Sequence, residues 1–159
     1  MDNFFTFMQF LKTNMEHKIE IIKFSFSDSD LFEKALYIRQ TVFCEEQKVS
    51  TEEEFDNLDD ICEQYLLKYD DKYVVTARKR EVDGKIKLER FAVLKEYRKL
   101  GLASKILAFI LDEIKDTDKT VYLNAQIDAM PLYSKFGFEK VGEQFIEADI
   151  LHYKMILKK

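Results

Sequence analysis

Apolar residues recur at helical spacing near the start of the chain, at Phe4, Phe7, Met8, Phe10 and Leu11, and the pattern then changes to the β-branched and aromatic run IEIIKFSF at 19–26. A helix followed by a strand is predicted. Leu31, Phe32, Ala35, Leu36, Ile38, Val42 and Phe43 mark the apolar face of the next helix, with Ser27 or Ser29 placed to cap it. The acidic stretch STEEEFDNLDD at 50–60 has no apolar period and predicts a loop. ICEQYLLKY (61–69) and KYVVTARKR (72–80) predict two strands, and the DG pair at 83–84 predicts a two-residue hairpin turn into KIKLERFAV at 85–93. A helix from Gly101 to about Lys115 follows, then a strand TVYLNAQ (120–126), a short helix around Met130 to Phe136, and two final strands, FEKVGEQFI and DILHYKMIL. This alternation predicts an α/β (α+β) class: a mixed, mostly antiparallel sheet with helices on its faces. No repeat or linker divides the pattern, so one domain over 1–159 is expected, with 1–18 as an N-terminal amphipathic extension.

Composition narrows the partners. A chain of 159 residues that is 47% hydrophobic can bury a full core. The formal charge of −5 disfavours a broad nucleic-acid or anionic-membrane surface while permitting a local basic pocket, so the expected partner is a small molecule. Cys44 and Cys62 form neither a disulfide framework nor a metal pattern, and free thiols in a reducing cytoplasm are expected, without a metal. The first twenty residues lack a signal peptide's basic start and cleavage site, and no apolar run is long enough to span a bilayer. The N-terminal helix is expected to cover the domain or a second copy of it, which makes a homodimer compatible with the sequence.

The chemistry gathers first at RKLGLA, residues 98–103, where a strand hands over to a helix. The first backbone N–H groups of a helix have no intrahelical acceptor and point outward together, and the helix dipole adds a partial positive charge. Gly101 lets a bulky oxyanion approach the backbone, and Arg98 and Lys99 add charge. Neither G-x-x-x-x-G-K-[ST] nor G-x-G-x-x-G is present, so nucleotide loops of those kinds are unsupported. Arg98, Gly101 and Ala103 fit [RQ]-x-x-G-x-[GA] instead; by itself that pattern is equally an ordinary helix start with two surface cations.

The loop, the preceding LERFAV and the later NAQIDAMPLYSKFGF (124–138) together resemble the GNAT superfamily of N-acetyltransferases over most of residues 19–157. The resemblance implies the GNAT fold and acetyl-CoA as co-substrate. It places the pyrophosphate on Arg98, Lys99, Leu100, Gly101, Leu102, Ala103 and Ser104, and the thioester and pantetheine arm on the backbone of Phe91, Ala92 and Val93, where neighbouring strands part. Gln126 stands where many members have Asn and can still donate an amide hydrogen bond. Tyr133 is implied as the acid for the departing thiolate. In glucosamine 6-phosphate N-acetyltransferases a Glu matches Glu89, which implies a substrate ligand or, through water, a proton acceptor; Glu89 and the neighbouring Arg90 enter the same cleft only if a bulge intervenes.

VFCEEQ, LERFAV, LYSKFGF and ADILHYKM further resemble the ElaA-like branch and the apicomplexan-type glucosamine 6-phosphate N-acetyltransferases, which implies that Glu46, Gln47 and His152 lie by the acceptor, His152 as a proton acceptor. Lysine outnumbers arginine in the chain, yet Arg39, Arg78 and Arg90 all fall near the expected cleft, and a planar guanidinium fork suits an anionic acceptor. Surface salt bridges to the many carboxylates are an equal alternative for each. The expected reaction is direct attack of an amine on the thioester, with a phosphorylated amino sugar, glucosamine 6-phosphate, as the acceptor for amino-sugar synthesis. Another small amine or a protein amino group, and a non-catalytic CoA-sensing module, are the alternatives. The acidic loop 50–60 is a solvated connection, a partner surface or a lid.

Overall fold

The computed structural model describes residues 16–159. The amphipathic helix expected at the N-terminus lies outside the described residues. Among the described residues seven strands form one sheet: β1 (Ile19–Ser25), β2 (Glu63–Tyr69), β3 (Lys72–Val82), β4 (Lys85–Val93), β5 (Val121–Gln126), β6 (Phe138–Glu147) and β7 (Ile150–Leu157), in the order β1-β2-β3-β4-β5-β7-β6. Every neighbouring pair is antiparallel except β4 and β5. The β3–β4 turn places Asp83 and Gly84 at φ 49° and 73°, the two left-handed positions of a type I′ hairpin.

Helices cover both faces, as the alternating pattern predicts. Helix α1 (Ser29–Arg39) continues into a π-helical turn, Gln40–Glu46, and lays Ala35, Ile38, Val42 and Phe43 against Leu66 and Ala92. Its cap is Asp28, whose carboxylate accepts from the Leu31 N–H at 3.2 Å, rather than either flanking serine. Helix α3 (Leu102–Glu113) buries Leu102, Ile106, Leu107 and Ile110 on the opposite face, against Tyr65, Leu67, Val74 and Val75. Leu66 turns to one helix layer and Tyr65 and Leu67 to the other, because side chains alternate across a strand.

The acidic segment is not wholly loop. Ser50 accepts from the Glu53 N–H at 3.2 Å and caps a single helical turn, α2 (Thr51–Glu54). A 3₁₀ turn at Asp59–Ile61 then delays β2 to Glu63, two residues later than the apolar pattern suggests. The short helix α4 (Met130–Ser134) ends before Phe136. Cys44 and Cys62 are free thiols, Cys62 buried with its Sγ donating to the Leu58 carbonyl.

One irregularity prepares the site. The β3–β4 register shifts between Thr76 and Arg78, where Arg90 on β4 takes a left-handed φ of 60°. This bulge bends β4. On its other side β4 pairs with β5 only at Ile86–Val121 and Lys87–Tyr122, so from Leu88 to Val93 no ladder joins the two strands.

Candidate active site

The gap between β4 and β5 opens into a cavity of about 310 Å³, whose floor and walls include Leu88, Glu89, Arg90, Phe91, Asn124 and Gln126. Because of the bulge, Glu89 and Arg90 both line it; simple alternation would have sent one of them to the opposite face. Tyr133 of α4 closes one side, His152 of β7 another.

Helix α3 begins at one end of this gap. Gly101 has φ 73°, and among the described residues none beyond its immediate chain neighbours comes within 4 Å of where its Cβ would stand. The N–H groups of Leu102, Ala103 and Ser104 have no intrahelical acceptor, and no side chain among the described residues caps them. Lys99 and Leu100 are exposed beside them, and Arg98 donates from Nε to the Val93 carbonyl at 3.0 Å, tying the loop to the end of β4. Bare amides, an unobstructed glycine, two cations and an unpaired strand edge form a donor set that suits a diphosphate joined to an amide-bearing arm. The residues therefore fit coenzyme A.

Tyr133 is buried, with its ring edge-on to Phe91 of β4 at 5.8 Å and to Phe138 at 6.1 Å. Burial holds its phenol well above the ordinary tyrosine range, so the hydroxyl stays protonated. His152 lies opposite Gln126 in the β5–β7 pairing. Its ring stacks on Phe145 and its Nδ1 is 2.7 Å from the Ile150 carbonyl, an acceptor, so the proton is assigned to Nδ1 and the lone pair to Nε2. The Glu147 carboxylate is 3.8 Å from Nε2 at the cavity rim.

Glu89 is almost fully buried. Burial pushes its carboxyl upward, but Arg78, Lys87 and Arg80 outweigh that and hold it below the usual carboxylate range. It is a fixed anion and a weak base.

The arginines serve the protein itself. Arg39, 1% exposed, donates to Glu54 at 2.5 Å and Asp59 at 2.7 Å. Arg78, with no exposed surface, grips Asp56 in a bidentate pair at 2.6 and 3.0 Å and reaches Asp59 at 2.9 Å. Neither lines the cavity, which corrects the expectation that Arg39 or Arg78 clamps an anionic acceptor: their forks are filled by the acidic segment. Arg90 does reach the wall, yet it faces Glu54 at 3.0 Å and Asp56 at 3.3 Å. The segment 50–60 is thus pinned from beneath by three guanidiniums and forms a fixed wall that contributes Glu53 and Glu54 to the cavity. A lid is not what these contacts describe.

Glu46 and Gln47 do not line the cavity; they contact Arg98 and Gln126 at its edge. Sequence reasoning missed Lys87, Asn124, Glu53, Glu54 and Glu147 as wall residues. Asn124 and Lys87 lie within the motif strands and were within reach of strand alternation, whereas Glu147 enters only through the β6–β7 turn. Among the described residues no cluster of three or more metal-ligating side chains occurs.

The family model described as acetyltransferase (GNAT) domain matches residues 30–159. The chain belongs to the GNAT acetyltransferases. Similar members include the uncharacterised N-acetyltransferase YjcF of Bacillus subtilis, 37% identical over 124 residues that cover 77% of this chain and 89% of YjcF. The crystal structure of Escherichia coli ElaA superposes with a TM-score of 0.79 at 25% identity, covering 89% of this chain and all of ElaA. A GNAT acetyltransferase of Elizabethkingia anophelis, solved with acetyl-CoA bound, shares the fold with a TM-score of 0.65 at 13% identity, over 89% of this chain and 98% of that one. The GNAT sheet, mixed and mostly antiparallel, is thereby established for this chain.

Proposed function

We propose that this GNAT protein transfers the acetyl group of acetyl-CoA to the primary amine of a small molecule in the cytoplasm. The observation that carries the reading is the juxtaposition of the parted β4 and β5 strands, the bare N-terminus of α3 and the buried Tyr133. Acetyl-CoA supplies the activated acyl group; the chain's own residues do the rest. The amides of Leu102, Ala103 and Ser104 with Lys99 and Arg98 would hold the diphosphate, and the open edge of Phe91, Ala92 and Val93 would hold the pantetheine arm and donate to the carbonyl oxygen. Tyr133, on the cavity wall beside Phe91 of the open strand, is placed to give its proton to the departing sulfur. His152, with Nε2 as acceptor, is better suited than the tightly paired Glu89 to take the proton of the amine.

A phosphorylated amino sugar such as glucosamine 6-phosphate would have to take Arg90 from Glu54 and Asp56, or Lys87 from Glu89. An unphosphorylated amine meets Glu53 and Glu147 at the rim and leaves the Arg90 and Lys87 pairs in place. The geometry therefore favours a small cationic amine over the phosphorylated sugar. The test follows thiol release from acetyl-CoA with glucosamine 6-phosphate, glucosamine, polyamines and amino acids offered in parallel. Preference for an unphosphorylated amine is expected. A clear advantage for the sugar phosphate would restore the anionic acceptor, and no thiol release with any amine would favour a CoA-sensing module.

A further inference from the structure

Glu46 and Gln47 are neighbours at the end of the π-helical turn, and each occupies a polar side chain that the coenzyme reading assigns to acetyl-CoA. The Glu46 carboxylate accepts from Arg98 Nη1 at 2.5 Å and from Nη2 at 2.9 Å, a two-pronged pair of the kind a phosphate forms with arginine. The Gln47 and Gln126 side chains exchange two amide hydrogen bonds, at 3.2 and 2.9 Å, as a pantetheine amide would with either of them. A carboxylate stands in for the phosphate and a carboxamide for the peptide-like arm, one residue apart.

Exposure separates this pair from the other arginine pairs. Arg39 and Glu54 are 1% and 3% exposed and cannot be exchanged without leaving a buried charge, whereas the Arg98 and Glu46 side chains are 36% and 37% exposed. An exposed pair of this type is weakly held, and a diphosphate brings more charge together with the amides of α3. Arg98 also stays anchored through Nε to the Val93 carbonyl whether or not Glu46 is there.

We propose that Glu46 and Gln47 are positioning residues that act as an internal surrogate for the coenzyme, holding Arg98 and Gln126 in place until acetyl-CoA takes them over. The same turn carries Phe43, and Val49 follows shortly after it, both on the cavity wall. The proposal rests on the coenzyme reading above.

Calorimetric titration with coenzyme A and with pantetheine, which lacks the diphosphate, tests it on the wild type, Glu46→Gln and Glu46→Ala, with folding checked by circular dichroism. Because the surrogate competes for Arg98, both substitutions are expected to tighten coenzyme A binding about two- to fivefold, the range set by an exposed pair, and to leave pantetheine unchanged. A variant that is simply loosened would shift both ligands alike, and that result overturns the surrogate role. So does coenzyme A affinity in the two variants that equals or falls below that of the wild type, because Glu46 would then not compete with the cofactor. A wild type that takes up no coenzyme A removes the coenzyme reading itself, and the surrogate with it.

Discussion

Tyr133 and His152 differ in how much of their role follows from residue type. A phenol is an acid or a packing group depending on whether its hydroxyl reaches a reaction centre, and Tyr133 is both buried and on the cavity wall. On the proposed mechanism Tyr133→Phe lowers kcat about 10²-fold or more while the Kd for coenzyme A is unchanged, which single-turnover kinetics and calorimetry would check together. Loss of binding in step with kcat would reduce Tyr133 to a packing residue. The histidine's assignment hangs on its Nδ1 contact with the Ile150 carbonyl, which leaves Nε2 as the acceptor. His152→Asn is therefore expected to lower kcat/KM while the Kd for coenzyme A is unchanged, measured by steady-state kinetics and calorimetry. An unaltered kcat/KM would move the proton route elsewhere.

At the scale of elements, the acidic segment and the arginines explain one another. Sequence shows a run of carboxylates at 50–60 and arginines scattered over α1, β3 and β4, and nothing in either pattern says that they meet. The acidic run reads as a loop in the sequence, so neither the helical turn that Ser50 caps nor its anchoring by Arg39 and Arg90 was legible there. Removing one member of a buried ion pair strands the other, so Arg78→Met should lower stability by roughly 3–5 kcal/mol in urea unfolding. Asp56 gives the pH signature. Burial pushes its carboxyl upward, but the Arg78 pair and then Arg90 overcome this and lower it from 3.8 to about 2. The folded value lies below the unfolded one, so its stabilisation is complete above 3.8 and is lost as pH falls towards about 2. Glu54 runs the other way: burial leaves its carboxyl raised despite Arg39 and Arg90, so it opposes folding as pH rises through 4.5. Asp56→Asn should make acid unfolding shallower between 3.8 and about 2, followed by circular dichroism; an unchanged profile would mean that the pair contributes little.

For the molecule as a whole, a ligand that binds only the folded chain raises its melting temperature. Coenzyme A at a hundredfold excess over its Kd should add about 2.7 kcal/mol, roughly 5–10 °C for a chain of this size. Gly101→Val forces a β-branched residue into the left-handed region at φ 73° where the anion is proposed to sit, and is expected to remove most of that shift while leaving the sheet's circular dichroism intact. A full shift in the variant would place the coenzyme away from this loop.

By itself the sequence determined what depends on local periodicity and on residues close together in the chain. It specified the order of strands and helices, the DG hairpin, the glycine-opened start of α3 and the motif segments that bring the GNAT family into view, because two- and 3.6-residue periods and turn chemistry act over a few neighbours. The tertiary structure alone decided which charges cancel and which side chains share a cavity. A one-residue bulge at Arg90 turned Glu89 and Arg90 to the same side and parted β4 from β5, while burial converted Arg39 and Arg78 from free forks into internal ties. Those outcomes depend on contacts between distant segments and on the cost of leaving a buried charge unpaired, neither of which leaves a period in the chain.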